Sequence, residues 1–154
     1  MWLVRHHELV LEAADALLQR LRSWVRVDEA RVRIGAAVHD AGKVLHPEEM
    51  SQAGHLHEAA GERWLLTLGF PPEIARCCIT HAAWNDPRAQ LEDRLVALAD
   101  KLWKGKRDES LERALVTELA TQTGLDPWEC FERFDAICER IASDGDERLA
   151  RSDV

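Results

Sequence analysis

From Trp2 to Leu21 the apolar side chains Leu3, Val10, Ala13, Ala14, Leu17 and Leu21 recur at helical spacing, with Arg5, Glu8, Glu12 and Asp15 on the other side. A repeat of about 3.6 residues makes one face of a helix apolar, whereas a half-buried strand alternates every second residue. The same rhythm returns in Leu91–Trp103, in Leu111, Leu115 and Leu119, and in Phe131, Phe134, Ile137 and Ile141. No stretch alternates as a strand and no segment repeats, so the expected fold is all-α.

Capping and breaking residues divide this pattern. Asp28 is placed to cap a second helix whose Ala30, Ile34, Ala37 and Val38 are expected to face inwards, with Gly42 ending it. Pro47 opens a short turn after His46, with Glu48 and Glu49 near its positive end. A helix from about His55 to Leu68 stops at Gly69, and Pro71-Pro72 open another that reaches His81. Asp86-Pro87 marks a turn, Gly105 and Gly124 end helices, and Asp126-Pro127 starts the last long one. The reading is one domain over residues 1–154: a core of about 4–107, two further helices over about 108–142, and a polar tail over 143–154. The two later helices suit either a buttress or a homodimer surface.

Composition narrows the function. A chain of 154 residues, 46% hydrophobic, has the material for one core. Its 20 basic and 28 acidic residues give a net charge of -8, which disfavours polymeric nucleic acid as a partner. Cys77, Cys78, Cys130 and Cys138 lack CxxC spacing and fit reduced, buried thiols, as in the cytoplasm. No apolar run approaches the ~18 residues that span a bilayer, so no membrane association is expected.

The chemistry concentrates around His39-Asp40, at the end of the second helix. His6 and His7 lie in the first helix, His55 and His57 at the start of another, His81 at the end of a fourth, and Asp100 closes the apolar run from Leu95. Helical geometry alone does not separate His6 from His7, and the flexible Gly54-His55-Leu56-His57 start leaves either imidazole within reach. Imidazole and carboxylate donors without thiolates suit divalent Mn, Fe, Co, Ni or Zn acting on oxygen-rich substrates. Lys43, Lys101, Lys104 and Arg107 form a basic island in an acidic chain. Lys101, Lys104 and Lys106 also fit a solvated face, and Trp84 and Trp103 are candidate pocket walls.

The order His, His-Asp, His, His, Asp over roughly Val4 to Arg107 resembles the HD superfamily of metal-dependent phosphohydrolases. Val10 and Ala14 after His6, and Gly61 and Leu65 after His57, match the family's spacing and favour those two histidines over their neighbours. The resemblance implies a helical bundle in which His6, His39, Asp40 and Asp100 match the shared ligands. His57 and His81 match the added positions of branches that bind two metals, with Asp40 bridging. It implies a phosphoester hydrolase that uses metal-bound hydroxide, one or two divalent transition-metal ions, and a small phosphorylated substrate such as a nucleotide. Asp40 and Lys43 are the expected catalytic residues. Lys43, Lys104 and Arg107 are the expected substrate-binding residues, Arg107 first because an arginine follows the last aspartate in several members. Ala82-Ala83-Trp84-Asn85 stands where the cyclic-dinucleotide branch carries Gly-Tyr-Pro, which disfavours that branch. The alternatives are a mixed-valent di-iron oxygenase and a non-catalytic nucleotide-binding module.

Overall fold

The first helix, α1 (Trp2–Leu21), buries His6, Leu9, Val10, Ala13, Ala14, Leu17, Leu18 and Leu21 in a computed structural model that describes residues 2–152. Each leucine taken fully out of water contributes roughly 2 kcal/mol. The other helices follow as α2 (Glu29–Val38), α3 (Leu56–Thr67), α4 (Pro72–Ala75), α5 (Cys77–Thr80), α6 (Leu91–Leu102), α7 (Glu109–Thr123), α8 (Pro127–Ala142) and α9 (Gly145–Ser152). Two 3₁₀ turns, Ala41–Val44 and Pro47–Met50, join α2 to α3. Among the described residues there is no strand, and the protein is all-α.

One apolar cluster unites α1, α2, α6, α7 and α8, with Phe134 as its largest fully buried side chain. A smaller one gathers Leu65, Ala75, Cys77 and Cys78, with Val38, Ala41 and Phe70 packed on it. The four cysteines are free and buried.

Three expectations change. Asp28 does cap α2, accepting from the Arg31 N–H, but the buried face is Val32, Gly35 and Ala36, while Ala30 and Ile34 are exposed. The small face wins because α2 packs against both α1 and α6, where close approach excludes larger side chains. The helix expected from Pro71-Pro72 to His81 is two short ones, α4 and α5, meeting at Arg76. Residues 145–152 of the polar tail form α9, whose Arg148 is buried.

Asp93 joins the elements that carry the polar cluster. It is 2% exposed and accepts from Arg31 of α2 at 2.8 Å, from Arg76 at 3.0 and 3.2 Å, and from Thr80 of α5 at 3.3 Å. It also closes the capping box of its own helix by accepting from the Gln90 N–H.

Candidate metal centre

Five elements bring His6 (α1), His39 and Asp40 (the end of α2), His57 (α3), His81 (the end of α5) and Asp100 (α6) to one place. All but Asp100 are buried, and the Asp100 side chain is 18% exposed.

The donors fall into two groups of three: His6, His39 and Asp100 in one, Asp40, His57 and His81 in the other. Asp40 also touches the first. Its Oδ2 lies 3.3 Å from His6 Nε2 and 3.9 Å from His39 Nε2, while its Oδ1 lies 3.3 Å from both His57 Nε2 and His81 Nε2. Asp100 Oδ1 completes the first group, 3.4 Å from His39 Nε2 and 3.6 Å from His6 Nε2. One carboxylate thus divides its two oxygens between two sets of imidazoles.

The far nitrogens explain why the rings point this way. His39 Nδ1 lies 2.9 Å from the Ala36 carbonyl, His81 Nδ1 3.0 Å from the Cys77 carbonyl, and His57 Nδ1 2.5 Å from Glu49 Oε2. Each contact fixes the ring and turns Nε2 inward, as in metal sites where an outer partner orients the ligand. Glu49 escapes the sequence reading. Its acid looks like a helix-end charge, yet it is buried and also accepts from the backbone N–H groups of Leu56 and His57. Burial opposes its ionisation, but these bonds hold its carboxyl down at about 2.

The remaining polar atoms test whether a metal fits. Asp40 Oδ1, His57 Nε2 and Asp100 Oδ1 are buried without a hydrogen-bond partner, although Asp40 Oδ1 and His57 Nε2 stand 3.3 Å apart and Asp100 Oδ1 is 3.4 Å from His39 Nε2. Orphaned buried lone pairs are costly, and a cation among them removes that cost. The donor set, four imidazoles and two carboxylates, is that of a divalent transition-metal site.

Electrostatics agree. Burial opposes charge on Asp40, yet the imidazoles of His6, His81 and His39 set close around its oxygens hold its carboxyl far below the usual range. Asp100 is held down in the same way, against burial, by His39, Lys104 and His81. Burial lowers the pKa of His6. His81, against burial, is pushed up to about 9 by Asp40 and Asp100. A proton on His81 thus occupies the charge position that a metal would take.

The structure brings His6 and not His7 into the donor groups. His7 has its ring centroid 5.2 Å from that of His39, and burial with its two histidine neighbours pushes its pKa down to about 3. His55 stands with its side chain 91% exposed beside Glu58, and His57 takes the inward position.

A cavity of about 430 Å³ opens over the centre, lined by Trp2, Lys43, His55, Glu58, Trp103 and Lys104 among others. Lys43 Nζ lies 2.6 Å from Asp40 Oδ2 and 5.4 Å from the centre of the Trp2 ring, which stacks on His6. Lys104 lies 5.8 Å over Trp103. Trp84 is no wall of this cavity and packs instead against the main core. Arg107, the expected first choice for substrate, is not here either. Its guanidinium is held by Glu112 at 2.5 Å, Asp135 at 2.6 Å and Glu139 at 2.8 Å, because the turn after Lys104 directs it to α7 and α8. Three carboxylates satisfy that fork, and a phosphate would have to displace them.

The family model for the HD domain matches residues 3–103, about two thirds of the chain and all six donors. The chain belongs to the HD domain family. Neither a curated protein nor a solved structure matches it. In this HD domain the matched segment ends at Trp103, so α7, α8 and α9 lie beyond it. Membership makes metal-dependent phosphohydrolase the superfamily expectation, and the two donor groups could hold metal. Among the described residues no helix is long and apolar enough to cross a membrane.

Proposed function

We propose that this HD domain is a phosphohydrolase that binds two divalent transition-metal ions and cleaves the phosphoester bond of a nucleotide or another small phosphorylated metabolite. The observation that carries the proposal is the division of the Asp40 oxygens between the two imidazole groups. His6, His39 and Asp100 would hold one ion, His57 and His81 the other, and Asp40 both. Bound there, such ions supply a water acidic enough to attack near neutral pH and positive charge to offset that on the phosphoryl oxygens.

The protein's own groups do the rest. The Lys43 and Lys104 ammoniums, on the cavity wall in an acidic chain, provide the charge that binds a phosphoryl group. Lys43 uses one of its three N–H donors on Asp40 at 2.6 Å, so the others remain for a phosphoryl oxygen. Trp2 and Trp103 give the substrate two flat apolar walls, and the cavity volume suits a small molecule rather than a polymer.

The test is phosphate or product release from a panel of nucleotides and aryl phosphates under strict anaerobiosis, with Mn, Co, Ni or Fe added back after chelation. Metal-restored hydrolysis without oxygen is the expected result. No release with any metal, combined with oxygen uptake in the presence of ferrous iron, would overturn it in favour of a di-iron oxygenase. Tight nucleotide binding with neither activity would mark a non-catalytic module.

A further inference from the structure

The helix α9 lies outside the family match, yet it touches α1, which carries His6, and the turn that follows α6, which carries Asp100. At its start, Gly145 is packed on the turn that follows α6: a Cβ added there would sit 2.3 and 2.4 Å from Gly105 N and Cα and 2.8 Å from the Lys104 carbonyl carbon. That turn follows Trp103 and Lys104, which line the cavity, and α6 carries Asp100. At its end, α9 grips α1. Arg148, 3% exposed, donates to Glu12 at 3.2 Å and to the Ile141 carbonyl at 2.8 Å. Arg151 adds a fork to both Glu12 oxygens at 2.9 and 2.8 Å, and its carbonyl accepts from Arg5, the residue before His6, at 3.1 Å.

We infer that α9 is a clamp that positions His6 and Asp100, through Glu12 and Arg5 on one side and Gly105 on the other, and so sets metal affinity at the first donor group alone. The second group is held by separate means: Glu49 on His57, the Cys77 carbonyl on His81, and packing of α3 against the Ala41–Val44 turn. Glu12, Arg148, Arg151 and Gly145 are positioning residues that do not reach the metals. The Glu12 carboxylate, with its side chain 45% exposed, has its pKa lowered chiefly by Arg151, consistent with a formed rather than a nominal fork.

The inference rests on the two-metal reading, and cobalt titration of the whole chain separates the two. The native protein should take up two Co(II) ions, read by visible absorption and by metal content after gel filtration. Glu12→Gln keeps the side-chain shape and removes the charge, and Gly145→Ala forces α9 off Gly105 without altering any charge. Each should weaken one of the two cobalt equivalents by about tenfold or more, the range typical of lost outer-shell support, and leave the other unchanged. Glu12→Gln added to His6→Ala should cost nothing further, because both act on one ion; added to His57→Ala it should weaken the one remaining equivalent by the same factor as in the single variant. Phe134→Leu, which loosens the main core without removing any group of the Glu12 fork or of the Gly145 contact, serves as a control that should lower stability with both equivalents intact. Two unchanged equivalents in both clamp variants, equal loss of both, or the same one-site loss in Phe134→Leu would overturn the clamp. No cobalt uptake by the native protein would overturn the metal centre itself, and the clamp with it.

Discussion

The Glu49 carboxylate receives His57 twice, from the backbone N–H at 3.0 Å and against ring Nδ1 at 2.5 Å, so one buried acid fixes both the start of α3 and the direction of its imidazole. Glu49→Gln should keep the fold but weaken metal binding at the second donor group by about 10- to 100-fold, as losses of such partners do elsewhere. Metal content after dialysis against a weak chelator measures this. Retention of two ions at undiminished affinity by Glu49→Gln would show that the negative charge of Glu49 is not needed and that an uncharged acceptor orients His57 as well.

Asp40 faces both groups, so its loss should empty both. Asp40→Ala should purify without metal, whereas His57→Ala and His81→Ala should each retain one ion. Atomic absorption on proteins purified without chelator decides this, and an Asp40→Ala protein with one tightly held ion would refute the bridge.

Metal uptake should expel protons. His81 has its pKa pushed up to about 9 in the metal-free fold, above the ordinary 6.5, and a metal can bind only the neutral ring. The protonated ring stabilises the metal-free fold fully below pH 6.5, and that contribution fades as pH rises through about 9. Metal affinity moves the other way, strengthening over the same interval. Calorimetry at pH 7.5 in two buffers of different protonation enthalpy should show close to one proton released through His81, and none would contradict the assignment.

Asp93 should matter for stability rather than chemistry. Asp93→Ala leaves Arg31 and Arg76, both largely buried, without their shared counter-ion, and removes the cap of α6. Breaking a buried pair in this way costs roughly 3–5 kcal/mol, a shift that urea unfolding reads directly.

Arg107→Ala should leave the Michaelis constant for any accepted substrate unchanged, since its guanidinium is engaged by Glu112, Asp135 and Glu139 away from the cavity. It should lower stability by roughly 1–2 kcal/mol, because Glu112 is 8% exposed and would lose its main partner. A raised Michaelis constant without loss of stability would restore Arg107 to the site.

The helices were legible because their signals are local: Asp28 before α2, Gly124 after α7 and Asp126-Pro127 before α8 act within one turn. The six donors were legible as an order of residue types along the chain. Glu49 was not, because its role depends on a contact eight residues away across an irregular loop, and its position offered the simpler reading of a helix-end acid. The face of α2 was misread because Ile34 outranks Gly35 in hydropathy, whereas packing between two helices selects by size. Arg107 followed a spacing that continues past the match, where this chain turns the side chain towards its own C-terminal helices. The same is true of α9, whose polar sequence gives no sign that Arg148 is buried.

The Ala41–Val44 turn meets α3 main chain to main chain: a Cβ on Gly42 would fall 1.8 Å from the His57 carbonyl oxygen and 2.7 Å from the Gly61 nitrogen. Asp40 stands two residues before one side of this contact and His57 belongs to the other. Their separation is therefore gauged by peptide atoms, which neither rotate nor compress as side chains do. A methyl group at position 42 or 61 would act as a shim, widening the reach between Asp40 and His57 rather than leaving a gap, so the span between these two side chains is set by two residues that have no side chain of their own.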